Sequence, residues 1–364
     1  MSLNQIIKDT IIQNQSPIGF DEFMDLALYH SHLGYYRSGS EKFGEKGDFI
    51  TAPETSDLFG FCLARQCAQV LKSGQSILEF GAGSGVLAAQ ILFELGRLNC
   101  LPKYYYILEL SAELKRRQKQ TIKKALPELL DRVIWLDQLP EGFCGVVVAN
   151  EVLDAMPAKR IIKKNDEFHE LCVGIKKDKL DWQVSDKPFK NKQVKLPKAV
   201  GKNYTTEVNL QALAWINSLY DALDDALVLL VDYGMHRGEY FHPQRFDGTL
   251  RCYYQHKSNE DPFVNIGEQD ITTSVNFSDI ADQAKASGFK IAGYGTQALF
   301  LISLGIDEYL LEQKDDNRRV TLAQQLKQLV LPSAMGESFK VLALSKTSHI
   351  KLNGFKEQDL SDKL

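Results

Sequence analysis

The segment Glu79-Phe80-Gly81-Ala82-Gly83-Ser84-Gly85 follows an apolar run, 76–80, and leads into a stretch, 86–95, whose Val86, Leu87, Ile91, Leu92 and Leu95 fall on one side of a helix. Strand, glycine turn and helix in that succession form a ligand cradle in doubly wound α/β folds. Residues without a Cβ let the backbone turn sharply and approach a bound molecule closely. The spacing discriminates between ligands. A dinucleotide fingerprint reads GxGxxG and presents amides to a pyrophosphate, whereas this loop reads GxGxG with an acid two residues ahead of it. Glu79 would repel a pyrophosphate and suits a cationic ligand. S-adenosyl-L-methionine, with a sulfonium, an ammonium and no phosphate, meets that condition. A tight strand-helix packing turn would present the same glycines, so the loop alone leaves both readings open.

Beyond the first helix the pattern repeats. Residues 104–108 read as a second strand and 111–125 as a second helix, and two βα units in tandem predict a parallel sheet. The third and fourth strands, 132–136 and 144–149, are too apolar for a sheet with a wet face. From 161 to 194 short alternating, lysine-rich stretches have no helix between them and read as an inserted β-hairpin region. Residues 206–223 read as helix and 226–232 as a strand of the sheet centre. A helix at 278–287, a strand at 289–294, helices within 297–331 and a last strand at 339–344 complete a seven-stranded, doubly wound α/β sheet. The organisation expected is a helical N-terminal region, 1–72, with a glycine-rich loop at 38–54, then a core, 73–346. That core carries a β-rich insertion at about 160–205 and an excursion at about 233–270, and the polar residues 347–364 read as a flexible tail.

Charge and composition exclude several classes. The formal net charge of −4 leaves no excess of cations for a nucleic-acid backbone. The 6 cysteines form no CxxC pair and the histidines have no acidic or thiol companions at ligand spacing, so neither a structural zinc nor another metal is expected. No apolar run approaches the roughly eighteen residues of a membrane span, and the first residues contain no secretory signal pattern.

Acids at strand ends supply the remaining candidates. Glu109, at the end of the second strand, can accept both ribose hydroxyls of an adenosine, and Asp137, past the third, can meet the adenine amino group. The cofactor set expected is therefore Glu79, Gly81, Ala82, Gly83, Gly85, Glu109, Leu110 and Asp137. Asn150, Glu151 and Asp154 come after the fourth strand, where ligands of open α/β sheets bind. They are the candidates for the chemical step, together with Asp48 and Glu54 of the loop ahead of the sheet, which could fold over the site as a lid. The alternative for Glu109 is a surface acid, and for Asn150, Glu151 and Asp154 the cap of a short helix.

The motifs taken together resemble one family, the MidA-like methyltransferases, which include the mitochondrial complex I assembly arginine methyltransferase. Those carrying the resemblance are Gly34-Tyr35-Tyr36, GDFITAPETSDLFG from Gly47, EFGAGSGVLA from Glu79, YILELSAELKRRQ from Tyr106, ANEVLDAMP from Ala149, VDYG from Val231, GTLRCYYQH from Gly248, DITTSVNF from Asp270 and MGESFKVL from Met335. They run in order through nearly the whole chain. The resemblance implies a class I, Rossmann-like S-adenosyl-L-methionine-dependent methyltransferase core and a protein substrate. By that similarity Glu79, the loop glycines and Glu109 hold the cofactor, and the loop from Gly47 to Glu54 belongs to the active site. For the mitochondrial members it implies dimethylation of an arginine in a core subunit of complex I. This chain begins with few arginines and bears Asp9, which points instead to a cytoplasmic member. The competing expectations are a methyltransferase acting on a small molecule or on another side chain, and an assembly chaperone that keeps its cofactor only for stability.

Overall fold

The computed structural model describes residues 1–37, 51–347 and 351–364. In chain order its strands are β1 (Ser76–Phe80), β2 (Tyr105–Leu108), β3 (Val133–Leu136), β4 (Phe143–Asn150), β5 (Lys159–Lys164), β6 (Glu167–Lys176), β7 (Lys179–Pro188), β8 (Thr205–Val208), β9 (Leu223–Met235), β10 (Arg251–Tyr254), β11 (Lys257–Asn259), β12 (Asp270–Thr272), β13 (Val275–Asn276), β14 (Lys290–Thr296) and β15 (Phe339–Lys346). The main sheet runs β14-β15-β9-β4-β1-β2-β3, with β13 paired to the end of β9. From β9 to β3 every pairing is parallel, as the βα repeats predict. β15 departs from that expectation, lying antiparallel to both β9 and β14. The connection from β14 runs through the helices Gln297–Ser303, Glu308–Glu312, Asp316–Val330 and Met335–Ser338, and the last of these delivers the chain to β15 from the carboxyl end of β9, with Phe339 opposite Tyr233.

Alternation explains the continuous apolar runs. Val146 and Val148 of β4, with Leu229 and Val231 of β9, enter one core with the helices Asp57–Val70 and Val86–Arg97. Val147, Ala149, Val228 and Leu230 enter the opposite core with the helices Leu210–Ala222 and Phe277–Ser287. Both faces of these strands are thus covered, and ligands can approach only at the strand ends.

Outside the main sheet, β7-β6-β5-β8 form an antiparallel sheet and β11-β10-β12 a smaller one. The helices Leu3–Asn14 and Phe20–Tyr29 pack on both through Ile7, Phe20, Phe23, Val173 and Ile271. Two expectations need correction. Residues 205–208 are strand rather than the start of a helix, because Thr205 and Thr206 pair with Ile162 and Ile161; the helix begins at Leu210, capped by Asn209. Nor is the end of the chain a free tail over 351–364. Leu352 and Phe355 are buried, Phe355 against Phe300, and the Leu360 N–H donates to the Tyr294 carbonyl. The aromatic and leucine anchors lie too far apart to give a periodic signal. Among the described residues no helix is long and apolar enough to cross a membrane.

Candidate active site

Beyond the carboxyl ends of β1, β2, β4 and β9 lies a cavity of about 580 Å³. The glycine loop forms one side. Gly81, Gly83 and Gly85 adopt φ of 60°, 50° and 84°, the left-handed region that a side chain disfavours. A Cβ on Gly85 would stand 2.9 Å from Gln118 Cα, so the last glycine is required by packing. Ser84 of the loop donates its hydroxyl to Glu54, which sits in the helix Ala52–Thr55 on the cavity wall.

Glu79 is buried at the end of β1 and accepts the Tyr105 hydroxyl at 2.7 Å. Burial pushes its carboxyl up to about 7, against the lowering effect of that bond. Glu109 follows β2 and is 8% exposed, not the surface acid that its position allowed. It accepts the Ser111 N–H at 2.8 Å and Gln118 Nε2 at 3.1 Å, and burial raises its carboxyl above the usual range. Ala82 and Leu110 also line the cavity, Leu110 as an exposed apolar surface at its mouth. Asp137 does not. Its side chain is 83% exposed and pairs with Lys115 outside the cavity. Strand-end position alone could not reveal which way that side chain turns.

The other side of the cavity is built on the turn after β4. Glu151 has φ of 52°, Asn150 Nδ2 donates to its carboxylate at 3.1 Å, and the Ala52 N–H donates to it from the helix Ala52–Thr55. Burial first, and then the neighbouring Asp154, push the Glu151 carboxyl up to about 8. Asp154 is buried and accepts the Tyr233 hydroxyl at 2.5 Å through Oδ2. Burial pushes it up to about 6. Asp154 Oδ1 and Asn150 Oδ1 are buried without a hydrogen-bond partner.

Sequence reasoning missed the rest of this wall. Tyr29 donates to the Ala155 carbonyl at 2.9 Å, Tyr36 donates to Asp270 at 3.0 Å, and the two rings stack at 5.5 Å. Tyr253, Tyr233 and Asp270 complete it. Burial pushes the hydroxyls of Tyr29, Tyr36 and Tyr233 well above their ordinary value, so they remain donors. Most of these residues stand inside the segments that carry the family resemblance, but no local pattern marks them as neighbours. Asp48, expected among them, lies outside the described residues.

The family model described as "Putative S-adenosyl-L-methionine-dependent methyltransferase" matches residues 62–295. The chain belongs to this family. A solved structure from Burkholderia thailandensis bound to S-adenosyl-homocysteine is similar over 100% of this chain and 96% of that one, with a TM-score of 0.95 and 37% sequence identity. The human "Protein arginine methyltransferase NDUFAF7, mitochondrial" is 29% identical, covering 95% of this chain and 84% of the relative. The Caenorhabditis elegans homolog of that protein is 28% identical, covering 92% and 84%. The protein is thus an S-adenosyl-L-methionine-dependent methyltransferase with a class I, Rossmann-like fold. Two buried carboxylates, Glu79 and Glu109, and the glycines Gly81 and Gly83 line the cavity.

Proposed function

We propose that the enzyme methylates the guanidinium of an arginine on a protein acceptor. The observation that carries this reading is the wall opposite the glycine loop, where Glu151, Asp154 and Asp270 stand among Tyr29, Tyr36, Tyr233 and Tyr253. A guanidinium is planar, cationic and rich in N–H donors. Carboxylates accept from its edge and tyrosine rings receive its face. The names of the curated relatives support the same acceptor.

In this reading Glu79 faces the cationic amino-acid end of the cofactor, Glu109 accepts the ribose hydroxyls, and Gly81 to Gly85 with Ala82 and Leu110 follow its outline. S-adenosyl-L-methionine supplies a methyl carbon made electrophilic by the sulfonium. Asp154 Oδ1 and Asn150 Oδ1, the buried oxygens without partners, accept from the acceptor's N–H groups and aim one nitrogen at that carbon. As the N–C bond forms and the C–S bond breaks, the nitrogen must release a proton, and Asp154 takes it. Tyr233 holds the other oxygen of Asp154 in place. Most of the rate comes from orientation and exclusion of water, since displacement at carbon offers little else to stabilise. Glu54, tied to Ser84, serves the cofactor side rather than the proton transfer.

Acid hydrolysis of proteins labelled from methyl-tritiated cofactor tests the reading. Label in methylarginine is expected, and label in a small-molecule fraction or in another amino acid would contradict it. The resemblance further implies a complex I subunit as acceptor and the sequence a cytoplasmic location, which labelling of a respiratory-membrane fraction and cell fractionation would test.

A further inference from the structure

Asp232 never reaches the cavity, yet it holds the part of the chain that does. β4 and β9 are parallel in register, with Asn150 opposite Val231, and the Glu151 N–H continues that ladder to the Val231 carbonyl at 2.8 Å. The chain then leaves the sheet through the left-handed conformation of Glu151. For a residue with a side chain this conformation persists only where the surroundings enforce it. The enforcing group is one atom. Asp232 Oδ2 accepts the N–H groups of Val152, Leu153 and Asp154 at 3.2, 2.9 and 3.3 Å, while Oδ1 accepts the Tyr233 N–H at 2.9 Å. Asn209 Nδ2 secures the carbonyl side of the turn at Leu153 and Met156.

We propose that Asp232 is a positioning residue for methyl transfer: its carboxylate folds the turn 151–154 so that Asn150, Glu151 and Asp154 present their side chains to the acceptor. Its neighbour Tyr233 fixes the Asp154 side chain, so two consecutive residues of β9 hold both the backbone and the carboxylate of Asp154. Burial and the neighbouring Asp154 and Glu151 raise the Asp232 carboxyl, but four backbone N–H groups point at its two oxygens, three of them at one, and that geometry calls for a carboxylate. An amide oxygen is a weaker acceptor than an anion, and in the flipped rotamer an amide would turn donors toward donors. The cofactor cradle is built on other elements, since Glu79, Glu109 and the loop glycines come from β1, β2 and the turn between β1 and its helix, and it meets the turn where Val152 lies against Gly81.

The proposal rests on the methyl-transfer reading but not on the identity of the acceptor. Asp232→Asn in the full chain is compared with wild type at saturating S-adenosyl-L-methionine, with label incorporation into one fixed lysate acceptor fraction as the rate. S-adenosyl-homocysteine affinity is measured by calorimetry and amide exchange by mass spectrometry. The rate is expected to fall by about 100-fold, the scale of a misplacement near 1 Å. Homocysteine-analogue affinity should stay within about threefold, and faster exchange should be confined to the peptide covering 151–156. An unchanged rate, or a loss of rate matched by loss of analogue affinity and by faster exchange throughout the chain, would overturn it. If Asp232→Asn does not fold, Asp232→Ser, smaller and still an acceptor, is judged by the same outcomes. Because the comparison holds for whichever side chain takes the label, finding the methyl on a residue other than arginine refutes the acceptor reading and leaves this one standing or falling by itself.

Discussion

Gln118 and Glu109 are joined at 3.1 Å, and the same amide nitrogen of Gln118 reaches the Gly83 carbonyl at 3.2 Å. Trp135 Nε1 orients that amide by donating to its oxygen at 2.9 Å. One side chain of the helix Ala112–Ala125 therefore fixes the acid of β2 and the glycine turn of β1 relative to each other. A cofactor spanning both would find them already in place, without the cost of ordering them.

Loss of the Glu109 carboxylate should weaken cofactor binding strongly. Hydrogen bonds to a charged group are worth ~1.5–3 kcal/mol, so Glu109→Ala is expected to lower S-adenosyl-homocysteine affinity by roughly 10- to 150-fold in calorimetry. An analogue lacking the ribose hydroxyls should be nearly indifferent to the substitution. Because the group is buried and its loss leaves the Ser111 N–H and one of the two Gln118 amide N–H groups without an acceptor, ligand-free stability should also fall, by ~1–3 kcal/mol. Additive losses from the two changes would show that Glu109 does not meet the ribose.

Gly83→Val places a β-branched residue at φ of 50° on the cavity wall. The fold should survive with a cost on the order of 1–3 kcal/mol. Binding of S-adenosyl-homocysteine should disappear, and NAD should bind neither protein. Unchanged homocysteine-analogue affinity in a folded variant would reduce the glycine turn to packing.

These two tests separate what the sequence made legible from what it did not. The βα alternation, the glycine turn and the acid after β2 are local, and local spacing carries them. The antiparallel course of β15 and the docking of Phe355 depend on partners far along the chain. So does the tyrosine wall, where Tyr36, Tyr233 and Tyr253 meet across more than two hundred positions of sequence. Only folding brings them together. Asp137 illustrates the converse: it stands at a strand end as expected, and only the fold shows its side chain turned to Lys115.

The raised carboxyls give a pH signature of defined sign. Glu79, Glu151 and Asp154 are pushed up by burial, to about 7, 8 and 6. Between the ordinary carboxylate range and about 8, the folded chain therefore binds more protons than the unfolded one. Stability of the ligand-free protein should be highest near pH 5 and decline as pH rises to 8. Thermal melts at constant ionic strength measure this; a rise in stability over the same interval would contradict it. Methyl transfer should show the opposite trend, increasing from pH 6 to 8 as Asp154 and Glu151 ionise.

Glu151→Gln isolates one of those groups. Removing a charge that burial opposes should stabilise the ligand-free protein at pH 8 by about 1–2 kcal/mol, while transfer falls by at least ~100-fold. Chemical denaturation at pH 8 and label incorporation are the two readouts. Lower stability with intact activity would mean that Glu151 supports the turn and takes no part in binding the acceptor.

In the proposed reaction the acidic, tyrosine-lined wall orients an arginine for methylation. Tandem mass spectrometry of a protein labelled by the purified enzyme, with the modified residue of that acceptor then replaced by lysine, tests it most directly. The methyl is expected on a guanidinium nitrogen, with no label after the replacement. Methyl found on a lysine, a carboxylate or a free metabolite, or label that persists in the lysine-substituted acceptor, would contradict it.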